Sequence, residues 1–182
     1  MDLLWARAGY LERAGDIDGA IAIYDDLYTR APNSDVVANN LASLISTHKT
    51  DPESLERAYA IARRLRGSEI GPFQDTYGWI AYRRGAFDEA LEHLEPAAKA
   101  LPDDPLVHFR IALLMVDTGR PAEALAALDR SLALDPDNAR AHNNRGSVLE
   151  LLGRMSEAEH AFARALDLAP DLAQPYLNLG HL

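Results

Sequence analysis

The chain repeats itself every 34 residues, and few folds tolerate such a period. Gly85, Gly119 and Gly153 recur at that interval, as do Pro102, Pro136 and Pro170, and Ala90, Ala124 and Ala158. Gly15, Ala20 and Pro32 hold the same places near the N-terminus. Self-similarity at such a period marks a stack of identical supersecondary units rather than a globule with one central core. The apolar residues within each unit fall at helical spacing. A glycine then suits the left-handed cap of a first helix, A, and a proline ends a second helix, B, whose hydrogen-bond ladder it cannot continue. One such hairpin cannot bury its apolar face alone, so neighbours must stack.

Aligned on these marks, the chain divides into repeats 1–34, 35–70, 71–104, 105–138 and 139–172, with a partial sixth at 173–182, read as one array over 1–182. Position 8 is always small: Ala8, Ala42, Gly78, Ala112 and Gly146. So is position 20: Ala20, Ala58, Ala90, Ala124 and Ala158. Position 24 is large in Tyr24, Leu94, Leu128 and Phe162, and small only in Ala62. Small against large lets two helices approach closely while filling the gap between them. The second repeat is irregular. Ala20 and Ala58 are 38 residues apart, and Ala58 and Ala90 are 32 apart. A longer A–B loop is therefore expected around Thr47–Pro52, with Asp51 capping a helix that Pro52 opens. The next turn should be correspondingly short. Asn138, after Pro136, suits the cap of the following helix A.

Composition narrows the function. There are 18 Lys and Arg against 28 Asp and Glu, a formal charge of -10. Phosphate backbones need clustered cations, so no nucleic-acid partner is expected. With no cysteine, disulfides, thiol catalysis and cysteine metal sites are excluded. No apolar run is long enough to cross a bilayer. The N-terminus reads as repeat rather than secretory signal, which leaves a cytoplasmic or periplasmic location open. The six histidines show no i, i+4 pair of the kind that holds zinc on a helix. His108 and His142, both at position 4, are expected in the hairpin interior. No cofactor, metal or catalytic residue is expected.

The 34-residue period, with small residues at 8 and 20 and proline at 32, resembles the tetratricopeptide repeat (TPR), and the resemblance covers nearly the whole chain. It implies an all-α, right-handed α-solenoid of five helix-turn-helix repeats plus a partial sixth helix. It also implies that helix A lines a concave groove with positions 2, 5, 6, 9 and 12. Those positions nominate Asn39, Asn40, Trp79, Tyr82, Phe109, Arg110, Leu113, Asn143, Asn144 and Asn178 as partner-binding residues. The asparagines, in Asn40-Leu41-Ala42 and Asn178-Leu179-Gly180, look like the superhelix of O-linked N-acetylglucosamine transferase. There, a ladder of position-6 asparagines grips a peptide backbone. Here Ala6, Thr76 and Arg110 break the ladder, and asparagine equally suits a solvated helix face. The middle stripe is apolar instead: Trp79 and Tyr82, then Phe109, Leu113 and Val116. These side chains either face a partner or pack on a neighbouring repeat. The carboxylate-clamp type of TPR domain is matched only at Asn40, so a chaperone-tail receptor is not expected.

The resemblance implies protein or peptide partners, hence a scaffold that holds a partner peptide or helix in its groove. Two alternatives stay open. One is a substrate-docking arm of a larger enzyme such as a protein glycosyltransferase. The other is an oligomerisation module, because Phe73–Gly85 looks similar to bacterial TPR proteins of exopolysaccharide and envelope assembly. Self-association through an open C-terminal end belongs to that alternative.

Overall fold

A computed structural model describes residues 2–171. Among them are ten α-helices, a single 3-10 turn and no strand. The helices are α1 (Asp2–Arg13), α2 (Ile17–Arg30), α3 (Asp35–His48), α4 (Pro52–Ala62), α5 (Gly71–Arg83), α6 (Phe87–Ala100), α7 (Pro105–Asp117), α8 (Pro121–Leu134), α9 (Ala139–Leu151) and α10 (Met155–Leu168), with the 3-10 turn at Arg63–Leu65. They pair as five successive hairpins, as the period requires. The chain forms two compact units, Met1–Ala100 and Leu101–Leu182. In the first, α3 packs on α2, and α5 packs on both α3 and α4. In the second, α8 contacts both α7 and α9, and α9 pairs with α10. No described helix is long and apolar enough to cross a membrane.

The punctuation works as the residue chemistry dictates. Gly15, Gly85, Gly119 and Gly153 all lie at φ between 72° and 78°, a conformation open to glycine at little cost. Each lets the following amide bond back across the end of helix A, as Asp16 N–H does to Leu11 O at 2.9 Å and Arg154 N–H to Leu149 O at 2.9 Å. These are Schellman closures. At helix starts, side-chain oxygens of Ser34, Asp51, Asp104 and Asn138 accept from backbone amides. Asp51 accepts from Ser54 N–H at 2.8 Å, with Pro52 at the first helical position.

Packing between paired helices rests on the small-against-large rule. Ala20, Ala58, Ala90, Ala124 and Ala158 are all fully buried, and so are Leu94, Leu128 and Phe162. The approach is closest in the fifth hairpin. An ideal Cβ on Gly146 would sit 2.4 Å from Cε1 of Phe162. On Gly78 it would lie 2.8 Å from Cγ of Leu94. Only glycine admits those rings and methyls without a shift.

Two expectations need correction. The irregular second repeat has no long loop: Lys49–Asp51 spans three residues, like the other A–B turns. The extra residues are taken up by helix. α3 runs one residue further than α5, and α4 begins six residues before Ala58, where α2 begins three before Ala20. Asp51 and Pro52 start helix B early, because cap and proline are strong local signals. Helix B then tightens into the 3-10 turn, and the next turn, Arg66–Ile70, has five residues rather than fewer than its counterparts.

The second correction concerns His108 and His142. Neither lies in the hairpin interior; each is only partly buried. Nε2 of His108 donates to Pro102 O at 3.0 Å, and Nε2 of His142 to Pro136 O at 2.9 Å. Gln74, also at position 4, donates to Ser68 O at 2.9 Å. Position 4 sits on the first turn of helix A, beside turn carbonyls that lack a helical donor. A polar side chain gains more there than in an apolar interior.

Candidate functional site

In the first unit the candidate residues come from α3 and α5, which touch directly. The indole Nε1 of Trp79 donates to Ser46 O on α3 at 3.3 Å. Its ring stacks on Tyr82 with centroids 5.2 Å apart and planes 22° from parallel, and Tyr82 leans on Phe87 at 5.9 Å. Both Trp79 and Tyr82 are partly buried. They therefore do both things the sequence left open. One edge of the pair is anchored to the neighbouring repeat, and part of the pair remains open to solvent.

Sequence reasoning missed Arg83. Its guanidinium donates to Ser46 O at 2.5 Å and to Lys49 O at 3.2 Å, and lies 5.9 Å from the Trp79 ring centre. The physical reason is visible in α3. This A helix alone ends without glycine: its C-cap, Lys49, is extended with φ of -101°. No Schellman closure can form there, so carbonyls of the last turn are left for another donor. Arg83 and Trp79 supply it from the next repeat. The missing glycine was the available signal.

The asparagines of this unit form a chain. Nδ2 of Asn39 donates to Oδ1 of Asn40 at 3.3 Å, and Nδ2 of Asn40 reaches the Tyr24 hydroxyl at 3.5 Å. Asn39 is buried and its Oδ1 has no partner, while Asn40 is partly buried. Tyr24, also missed, is pushed up to about 12, first by burial and then by its hydrogen bond to Glu12; Asn40 opposes the shift. The phenol therefore stays protonated at neutral pH.

In the second unit, Phe109, Arg110 and Leu113 lie on α7, and Asn143 and Asn144 on α9. Phe109, Leu113 and Asn144 are partly buried, whereas Arg110 and Asn143 are buried. Helices α7 and α9 each pack on α8. Arg145, beside Asn144, pairs with Asp129 of α8 at 2.7 Å. Asn178 lies outside the described residues.

The remaining clusters lead elsewhere. A cavity of about 470 Å³ opens on α2 and the α4 segment, lined by Tyr28, Ala60, Ile61, Arg63 and Arg64. It holds none of the nominated side chains, and Arg64 is already engaged with Pro32 O, Asn33 O and Asp35. Among the described residues, no group of three or more His, Asp or Glu is placed to hold a metal ion.

Residues 77–120 and 109–173 match one family model of the tetratricopeptide repeat, and residues 1–44 match a second. No curated protein matches the chain. Solved structures do. The thermophilic TPR protein TTC0263 of Thermus thermophilus superposes with a TM-score of 0.76 at 19% identity, covering 98% of this chain and 97% of its own. YrrB, a TPR protein with an unusual peptide-binding site, gives 0.67 at 21% identity over 96% of this chain and 89% of its own. MamA gives 0.66 at 18% identity over 95% and 93%. At these identities the likeness speaks to the fold.

Proposed function

The chain belongs to the tetratricopeptide repeat family, and from that premise we propose that it is a protein-interaction scaffold holding a partner peptide along its A helices. The A-helix side chains of the first unit form the recognition surface. The observation that carries this is the Trp79–Tyr82 stack. It is anchored by the Trp79 hydrogen bond to α3, yet not fully buried. A preorganised aromatic pair offers a large apolar contact at little entropic cost. The neighbouring Asn39–Asn40 pair supplies amides that can donate to a peptide carbonyl and accept from its N–H. Within the second unit, Phe109 and Leu113 share one face of α7 and offer an apolar contact of their own. YrrB, with its peptide-binding site, has the same fold and supports the class of ligand.

The test is affinity capture from the native lysate with mass-spectrometric identification, followed by titration of the captured peptide. Tyr82→Ala and Asn40→Ala should each weaken binding at least about tenfold, a loss of roughly 1.4 kcal/mol, with the helical circular dichroism spectrum retained at the temperature of the titration. Retained affinity in both variants rules out the A-helix surface of the first unit.

A further inference from the structure

Independently of the peptide-binding surface, we propose that the cavity on α2 and the α4 segment is a binding site for an organic carboxylate, with Arg63 as its cation. The cavity, about 470 Å³, is lined by Tyr28, Ala60, Ile61, Arg63 and Arg64. These residues belong to two B helices and the 3-10 turn that ends one of them, all within the first unit. The repeat itself separates structural cations from a spare one. Arg64, at position 26, holds Pro32 O, Asn33 O and Asp35. Arg130 and Arg164 occupy the same position and act alike: Arg130 bonds Pro102 O at 2.9 Å and Asp103 at 3.1 Å, and Arg164 bonds Asp137 at 2.9 Å. An arginine there clips helix B to the turn that opens its own repeat. Arg63, at position 25, has no such part. The other repeats carry Asp25, Glu95, Asp129 and Ala163 at that place. Asp25 pairs with Arg57, and Asp129 with Arg145 at 2.7 Å. Arg63 reverses the sign. Its exposed guanidinium makes no hydrogen bond or ion pair among the described residues, and neither does the Tyr28 hydroxyl.

Charge and lining select the ligand. Asp35 offsets Arg64 and Asp25 offsets Arg57, so Arg63 leaves one positive charge over. A single charge suits a monoanion. A phosphate dianion would leave excess negative charge beside these carboxylates, in a chain whose formal charge is already -10. A carboxylate takes two parallel N–H bonds from a guanidinium and keeps lone pairs for a hydroxyl donor. Arg63 and Tyr28 supply those donors, whereas Nε, Nη1 and Nη2 of Arg64 are all taken. The volume exceeds what a carboxylate group fills and is of the size that holds a small organic molecule. The partly buried Tyr28 ring and the Ile61 side chain, 8% exposed, give its body an apolar wall. The recognised group is therefore a carboxylate on a short apolar body, either a free acid or the end of a chain.

The probes are benzoate, its uncharged counterpart benzamide, phenyl phosphate and N-acetylphenylalanine. Each is titrated into the full chain at about pH 7.5, where phosphate esters are largely dianions, and followed by NMR at the Ile61 methyl groups and the Arg63 amide. Benzoate should saturate both signals together in roughly the millimolar range, and benzamide should bind at least about tenfold more weakly. Phenyl phosphate should bind no tighter than benzoate. Arg63→Glu, which restores the acid found in other repeats, should abolish saturation. Tyr28→Phe should weaken benzoate by about threefold or more. Both variants should keep the parent's helical circular dichroism at the temperature of the titration, because neither altered group is bonded within the fold. Benzoate that binds Arg63→Glu as it binds the parent, equal affinities for benzoate and benzamide, or no saturation by any probe overturns the site. Phenyl phosphate binding tighter than benzoate overturns the carboxylate assignment. N-acetylphenylalanine separates the two sources: tighter binding than benzoate supports a chain end, and weaker binding supports a free acid.

Discussion

Replacing Gly146 by alanine should destabilise the protein although alanine is the better helix former. The methyl group has nowhere to go. Its ideal position is 2.4, 2.5 and 2.7 Å from Cε1, Cδ1 and Cζ of Phe162, against about 3.5–4.0 Å for an ordinary carbon contact. The ring must retreat by about 1 Å, and it is fully buried. Overpacking on this scale costs about 3 kcal/mol. Helix propensity returns about 1 kcal/mol. The net loss is about 2 kcal/mol, or roughly 4–8 °C in the thermal midpoint of a domain this size. The fourth repeat shows what repairs it. There Ala112 stands at position 8 with Leu128 at position 24, and both are fully buried. Gly146→Ala with Phe162→Leu should therefore recover most of the loss. The coupling energy between the two should reach about 2 kcal/mol, well above that of independent sites. Urea unfolding of the four proteins, followed by circular dichroism, measures it. A stabilised Gly146→Ala, or additive effects of the two changes, would refute the close α9–α10 approach.

Two further perturbations have computable signs. Burial holds His93 below its ordinary value near 6.5, with Arg66 acting the same way and Glu92 and Glu89 opposing; its Nε2 is buried without a partner beside the Tyr77 ring. The unfolded chain then binds the proton more readily, so stability should fall as pH drops below about 6.5 and level off once the folded form is also protonated. His93→Gln should flatten that part of the profile, and urea midpoints at pH 7.5 and 5 give the comparison; parallel profiles for the two proteins contradict it. Arg83→Met removes the donors to Ser46 O and Lys49 O. It should cost roughly 1–3 kcal/mol and speed exchange in the last turn of α3, whereas unchanged exchange there means another donor caps the helix.

Much of the fold was legible because it is written in local signals repeated several times. Glycine after helix A, proline after helix B and alanine at position 20 each act within a turn or two, and the structure places all of them as expected. The misses arose where two local signals competed. In the second repeat the insertion suggested a loop, but Asp51 and Pro52 can open a helix wherever they stand, so helix absorbed the added length. Periodicity alone puts position 4 in the interior. Periodicity says nothing of the turn carbonyls that face His108, His142 and Gln74. At the candidate site, position within the repeat named Trp79 and Tyr82, but Arg83 was invisible. Its role depends on a cap missing from a different repeat, which only tertiary packing connects to it.

The most direct measurement follows the two tryptophan indole N–H resonances and the asparagine side-chain amides by NMR as a captured partner peptide is titrated into the full chain. Trp79, Asn39 and Asn40 should shift together and saturate at one affinity. Shifts confined to the B helices, or none at Trp79 when the peptide is fully bound, contradict recognition along the A helices.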